Sequence, residues 1–255
     1  MELGLDGRSV LVLAGTRGIG LATAIGFHRE GARVAVCGRN VDALADARAQ
    51  MPGALAIRGD VTDPDALTAI VADTSEAFGA IDVLVINAGG PRSGPFESLD
   101  DSDWFKAVEL TLMSAIRSAR LVLPGMRKKR WGRIVIISSF GVKQPVPGLT
   151  LSNSLRMAVL GWAKTLSRQV AADNILVNTV CPGWTRTDRV TSLLAGSGTD
   201  EADGMEERII SSIPLGRMGA ADEIAKLAVF LGSEAASYMT GTAIQVDGGL
   251  VEGYA

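Results

Sequence analysis

The chain is short of the side chains on which much enzyme chemistry depends. It holds one histidine, His28, two cysteines, Cys37 and Cys181, and two tyrosines, Tyr238 and Tyr254. A lone histidine excludes both a serine–histidine triad and a histidine metal cluster, so no metal is expected. The cysteines have no paired spacing and fall in or just after strand-like runs. They read as small buried hydrophobes, not as a disulfide or as metal ligands. Excess positive charge is missing too. A net charge of −3 gives no electrostatic reason to expect nucleic acid or an acidic membrane as partner. No apolar run reaches the roughly 18–20 residues that span a bilayer, and residues 1–6 lack the basic-then-apolar opening of a signal peptide. A soluble cytoplasmic protein is the expectation. Its chemistry must rest on hydroxyls, cations, carboxylates, backbone dipoles or a cofactor.

What is present is a regular alternation of strand and helix patterns. At 255 residues and 47% hydrophobic content, the chain can bury one large core, and residues 1–255 read as a single domain. Strand-like apolar runs fall at residues 9–13, 34–37, 55–57, 83–86, 133–137, 176–180 and 243–246. Helical patterns lie between them, among them 18–30 and 41–50, the longest being 103–129 and 151–172. This predicts an α/β, Rossmann-type doubly wound fold, a seven-stranded parallel sheet with helices on both faces. Residues 195–204 depart from the rhythm, being rich in Gly, Ser, Thr and acids. They fall within a segment, 188–213, expected to act as a mobile substrate loop, although a plain surface loop fits the composition equally.

Gly15, Thr16, Arg17, Gly18, Ile19 and Gly20 follow the first strand and open the first helix. In that context a glycine-rich turn presents backbone N–H groups and a helix N-terminus to a pyrophosphate. An NAD site usually adds an acid about 20 residues further on, for the ribose hydroxyls. Here the second strand ends in Gly38, Arg39 and Asn40, with no acid until Asp42. Arg17 and Arg39 can hold a 2′-phosphate by charge-assisted hydrogen bonds, which favours NADP(H). Two solvated surface arginines are the competing reading.

The run from Val12 to Gly20 resembles the opening of the short-chain dehydrogenase/reductase family, in particular its acyl-carrier-protein reductase-like branch. Ordered matches continue for about 240 residues of the chain: Asp60 and Val61 at the adenine contact, Asn87, Ala88 and Gly89 at the fourth strand, Ser138 and Ser139 at the fifth, then Pro182, Gly183 and Thr187. One departure is Leu13-Ala14 where the family has Thr-Gly.

The resemblance also implies a catalytic set of asparagine, serine, tyrosine and lysine. Thr111 falls in the asparagine slot, Ser139 in the serine slot, and Ser152 and Arg156 in the tyrosine and lysine slots. Thirteen residues separate Ser139 from Ser152, the family's serine-to-tyrosine spacing. A tyrosine hydroxyl titrates near pH 10 and can be brought lower by a cation, whereas an aliphatic hydroxyl is far less acidic. Ser152 is therefore a poor general acid. Arg156 can bind ribose hydroxyls but relays no proton. Lys143, in the loop after Ser139, is a candidate replacement donor, with a solvated loop lysine as the alternative. Arg186 and Arg189 can serve a substrate carboxylate or phosphate, or simply be surface residues.

Three functions stay open: an atypical NADP(H)-dependent oxidoreductase for a small carbonyl or alcohol, a non-redox isomerase, dehydratase or cyclase, and a silent nucleotide-binding subunit. Apolar residues on more than one face of the two long helices, such as Ala115, Ile116, Leu121, Val122, Val159, Leu160 and Trp162, predict a homo-oligomer, tetramer or dimer.

Overall fold

The computed structural model describes residues 2–195 and 199–253. Seven parallel strands form one sheet in the order β3-β2-β1-β4-β5-β6-β7. They are β1 (Ser9–Val12), β2 (Arg33–Gly38), β3 (Leu55–Arg58), β4 (Val83–Ile86), β5 (Gly132–Ile137), β6 (Ile175–Pro182) and β7 (Ala243–Val246). The predicted strands are all present, with ends shifted by at most two residues. Burial on both faces explains why they read as continuous apolar runs rather than alternating ones.

The helices are α1 (Gly18–Arg29), α2 (Val41–Gln50), α3 (Pro64–Phe78), α4 (Asp101–Ala107), α5 (Ser114–Lys129), α6 (Thr150–Val170), α7 (Asp188–Ala195), α8 (Thr199–Ser212) and α9 (Ala221–Leu231). Leu11, Leu84, Ile134 and Val177 point to one face, where they meet Leu67, Ile70, Ala115, Ala119, Val159 and Ala163 from α3, α5 and α6. Val10, Val12, Val85 and Val135 point to the other, against Ala24, Phe27, Ala47, Ile224 and Ala228 from α1, α2 and α9.

Two expectations need correction. The predicted single helix over 103–129 is divided by a π-helical stretch, Val108–Met113, between α4 and α5. Such a widened turn is often found beside functional sites. Much of the predicted loop at 188–213 is helical, as α7 and α8. Residues 196–198 of the Gly/Ser-rich stretch lie outside the described residues. Ile209 of α8 and Ile213 just after it pack with Phe140, Val146, Met218 and Leu250, and of these Phe140 lines the site. The chain crosses from edge strand β3 to β4, which pairs with β1 on its other side. In a doubly wound sheet a cleft is expected at that reversal, outside the strands' carboxyl ends.

Candidate active site

A cleft of about 720 Å³ opens at the carboxyl ends of the strands. One end is built from the turn after β1. Gly18 lies at φ +53°, a conformation open to glycine, and N–H groups of the following helix face the opening. Gly20 lies under the hydrogen bond from Asn87 Nδ2 to the Ala14 carbonyl, 3.1 Å long. A Cβ there would lie 2.6 Å from Asn87 Nδ2 and 2.7 Å from that carbonyl, so only glycine leaves the β1 and β4 ends tied together. Thr16, Arg17, Gly18, Ile19, Gly20, Arg39, Asp60, Val61, Asn87, Ala88 and Gly89 all line the cleft. Gly15 lies behind it, packed under Val12 and Val36.

Charges at this end are compensated. Arg39 donates to Asp60 at 3.5 Å, and Arg17 lies 3.8 Å from Asp188 at the start of α7. Partial burial raises the Asp60 carboxyl, but hydrogen bonds from the Thr62 N–H and hydroxyl, then the Arg39 charge, outweigh it and hold the group below the usual range.

Ser138, Ser139, Phe140, Leu149, Ser152, Arg156, Trp184 and Arg189 line the other end. Ser139 Oγ accepts from the Gly141 N–H at 3.0 Å, capping the short turn Phe140–Val142. Asn153 pins the loop beyond it through two hydrogen bonds with the Val146 backbone. Ser152 and Arg156 share a face of α6 one turn apart. Arg156 Nε donates to Ser152 Oγ at 3.1 Å, while Nη1 donates to the Ile137 and Ser138 carbonyls at 3.1 and 3.0 Å. Burial, then the nearby Arg189 charge, pull the Arg156 guanidinium down to about 10. Arg189 is anchored by a 2.8 Å bond to the Pro91 carbonyl, and burial lowers it also. Ser139 and Ser152 each have an acceptor position filled by an N–H, so their own hydroxyl protons remain to donate. The group can hydrogen-bond to an oxygen gaining negative charge. It contains no ready proton donor at neutral pH.

Pro182, Gly183 and Thr187 also line the cleft, whereas Thr111, Lys143 and Arg186 do not. Thr111 faces inward in the π-helical stretch, its Oγ1 buried without a partner. Lys143 follows the Phe140–Val142 turn and lies outside the cleft lining. Arg186 pairs with Glu206 at 3.0 Å. Sequence reasoning missed Lys106, which lines the cleft one helical turn before Leu110, and named Ser138 only as a family match, whereas its buried Oγ lines the cleft with no partner among the described residues. The 3.6-residue spacing of Lys106 and Leu110 was the available signal for the first. Cys37 and Cys181 are buried thiols, each pushed up to about 11 by that burial.

A phosphate cradle at the switch point of a doubly wound sheet, beside a polar pocket, defines a dinucleotide-binding oxidoreductase fold. The chain belongs to the short-chain dehydrogenase/reductase family: a family model described as "Enoyl-(Acyl carrier protein) reductase" matches residues 13–251. It is 36% identical over 249 residues to the 3-oxoacyl-[acyl-carrier-protein] reductase FabG of Haemophilus influenzae, covering 96% of this chain and 99% of that one. Identity to the Thermotoga maritima reductase of the same name is 34%, with 97% and 99% covered. The structure of L-sorbose reductase from Gluconobacter frateurii complexed with NADPH and L-sorbose superposes with a TM-score of 0.93 at 32% identity, covering 99% of this chain and all of that one. YwfH, an NADPH-dependent reductase involved in bacilysin biosynthesis, gives 0.90 at 30% identity, with 96% and 99% covered. The chain is thus an oxidoreductase-family protein. Among the described residues no helix is long and apolar enough to cross a membrane, and no metal-binding cluster occurs.

Proposed function

We propose that the protein is an NADP(H)-dependent oxidoreductase for a small carbonyl or alcohol substrate, working with an altered catalytic set. The observation that carries this reading is the cradle around Gly18 and Gly20 with Arg17 and Arg39 at its rim. The buried Ser138 Oγ, which lines the cleft and has no partner among the described residues, fits a bound dinucleotide. The backbone from Thr16 to Gly20 would hold its pyrophosphate, Arg39 and Arg17 its 2′-phosphate, and Arg156 its nicotinamide ribose. When bound, that cofactor supplies or accepts the hydride. Ser139 and Ser152 orient the reacting oxygen by donating to it, and Arg156 keeps the Ser152 acceptor side filled. With Lys143 outside the cleft lining, proton transfer to that oxygen falls to water, to the substrate or to Lys106, which lines the cleft.

Exposed Phe105 and Met157, on α4 and α6, support assembly into a homo-oligomer through the long helices.

Calorimetric titration with NADPH and NADH tests the cofactor reading. NADPH is expected to bind at least about 10-fold more tightly, the scale of one charge-assisted contact. Equal affinities would show that Arg17 and Arg39 do not read the 2′-phosphate.

A further inference from the structure

The two arginines at the phosphate rim stand in different relations to the acids beside them. Asp60, the partner of Arg39, is fixed by its own turn. The Thr62 N–H and hydroxyl donate to its Oδ1 at 3.0 and 2.9 Å, so its place does not depend on Arg39. Asp188 has no such support. Its carboxylate lies 3.8 Å from Arg17 Nη1 and has no other partner among the described residues. Both side chains stand in solvent, Arg17 63% and Asp188 78% exposed.

The backbone nonetheless holds Asp188 at the rim. Before it, the Arg186 N–H donates to the Gly219 carbonyl and the Gly219 N–H to that of Trp184, both at 2.9 Å. Thr187 packs on the cradle itself, since a Cβ on Gly18 would meet its Cγ2 at 3.4 Å. After it, Arg189 donates to the Pro91 carbonyl at 2.8 Å and lies over Gly90, where a Cβ would come within 2.9 Å of its Nε. The first turn of α7 thus crosses the cleft from the β1 turn to the loop after β4, and residues 187–190 all line it. The Asp188 backbone cannot leave Arg17 without breaking these contacts.

Resting on the NADP(H) reading above, we propose that Asp188 is a specificity-determining residue. By holding Arg17 it competes with the cofactor's 2′-phosphate and keeps the preference for NADPH below what two free arginines would give. A guanidinium offers the same N–H donors to a carboxylate or to a phosphate, so the two anions exclude each other. When the phosphate takes Arg17, the carboxylate loses its partner and faces a second anion. NADH carries a hydroxyl at that place and leaves the pair intact. Asp60 keeps its Thr62 donors in either case, so the competition falls on Asp188.

The test is calorimetric titration of the full protein with NADPH and with NADH. Asp188→Asn should tighten NADPH by about 2- to 5-fold, the scale of an exposed ion pair, and leave NADH unchanged. Asp73→Asn, an exposed change of the same charge on α3 and outside the cleft lining, should move neither. In an Arg17→Gln background Asp188→Asn should give no gain, because its effect passes through Arg17. Unaltered melting curves exclude a disturbed fold, and Asp188→Ser repeats the test if asparagine upsets the start of α7. Equal gains for both cofactors would make Asp188 a repeller of the pyrophosphate they share, and would overturn the proposal. No gain for NADPH, or a gain that survives Arg17→Gln, overturns it too. The reading beneath it fails separately: Arg17→Gln and Arg39→Gln that leave the NADPH-to-NADH ratio unchanged would show that these arginines do not read the 2′-phosphate. A ratio that falls in Arg17→Gln but does not rise in Asp188→Asn sinks the role of Asp188 alone.

Discussion

Two arginines at opposite ends of the same sheet, the fully enclosed Arg133 and the half-buried Arg156, are treated differently by their surroundings. Arg133 starts β5 at the amino ends of the strands and is 1% exposed. Its donors reach the carbonyls of Ser233, Gly132 and Asn174 and the Glu234 carboxylate. Its guanidinium and that of Arg8 both lie over the Trp131 ring, at 4.2 and 3.9 Å, and the indole N–H also donates to Glu234. Arg8 and Lys129 extend the network to Asp82. Every charge there has a protein partner. Arg156, at the carboxyl ends, has neutral partners on one side and none at Nη2. A closed network of charges holds a fold together, whereas an open one awaits a ligand. Position relative to the strand ends and burial together separate the two roles: Arg133 is enclosed, whereas Arg156 lies half-buried at the cleft.

The largest effect is expected where the open end is rebuilt. Changing Ser152→Tyr together with Arg156→Lys supplies a phenol and a cation that lowers its pKa. A well-placed general acid contributes about 10²–10⁴-fold. NADPH-dependent reduction of simple neutral ketones should rise by that order, measured by NADPH absorbance. Either single change should recover less, because the two side chains act as a unit. Fast turnover of such ketones by the unaltered protein would show that water or another residue already serves as acid.

Next in size is the direct contrast of the two arginines. Arg133→Met leaves buried carbonyls unpaired and breaks the Trp131 stack, for an expected loss of about 3 kcal/mol or more. Arg156→Met should cost less, about 1–2 kcal/mol, since it leaves the Ile137 and Ser138 carbonyls unpaired but removes a partly desolvated charge that has no carboxylate partner among the described residues. Chemical denaturation of both variants measures this. The pH dependence has a definite sign. The folded Arg156 is drawn down to about 10, well below the ordinary arginine range, by burial and then the Arg189 charge. Below about 10 its cost to the fold is fully present. Above that, the unfolded chain holds more protons at this site than the folded one, so stability rises with pH. The native protein should therefore gain on Arg156→Met as pH climbs through 10. Equal losses in the two variants would remove the distinction between the ends.

Much of this was legible in the sequence, and the reasons are physical. Strands buried on both faces write themselves as unbroken apolar runs, so β4 at Val83–Ile86 could be placed to the residue. The turn at Gly15–Gly20 could be read because its place between strand and helix limits its uses. The π-helical stretch was hidden, since its apolar residues keep a helical period whichever carbonyl each N–H finds. Helices α7 and α8 were masked by a polar composition that tertiary contacts overrode. The state of each cation was also invisible. Nothing in the order of residues tells that Arg39 meets Asp60 while Arg156 meets no acid.

The smallest expected effect concerns the one residue of the cradle that departs from the family's glycine. Ala14 has φ +46°, in the left-handed region where a Cβ crowds the following carbonyl. The conformation persists because its carbonyl accepts from Asn87 Nδ2, in the bond that ties β4 to the turn. Ala14→Gly removes the crowding but loosens the unfolded chain, and for a positive φ the first effect is the larger. A net gain of about 1 kcal/mol is expected, a rise of roughly 2–4 °C in melting temperature for a chain of this length. NADPH affinity should hold or improve, because the backbone amides keep their directions with less strain. If the variant melts lower, the turn is held by contacts of the Ala14 methyl group, and the cradle end is as closely fitted as the cluster around Arg133.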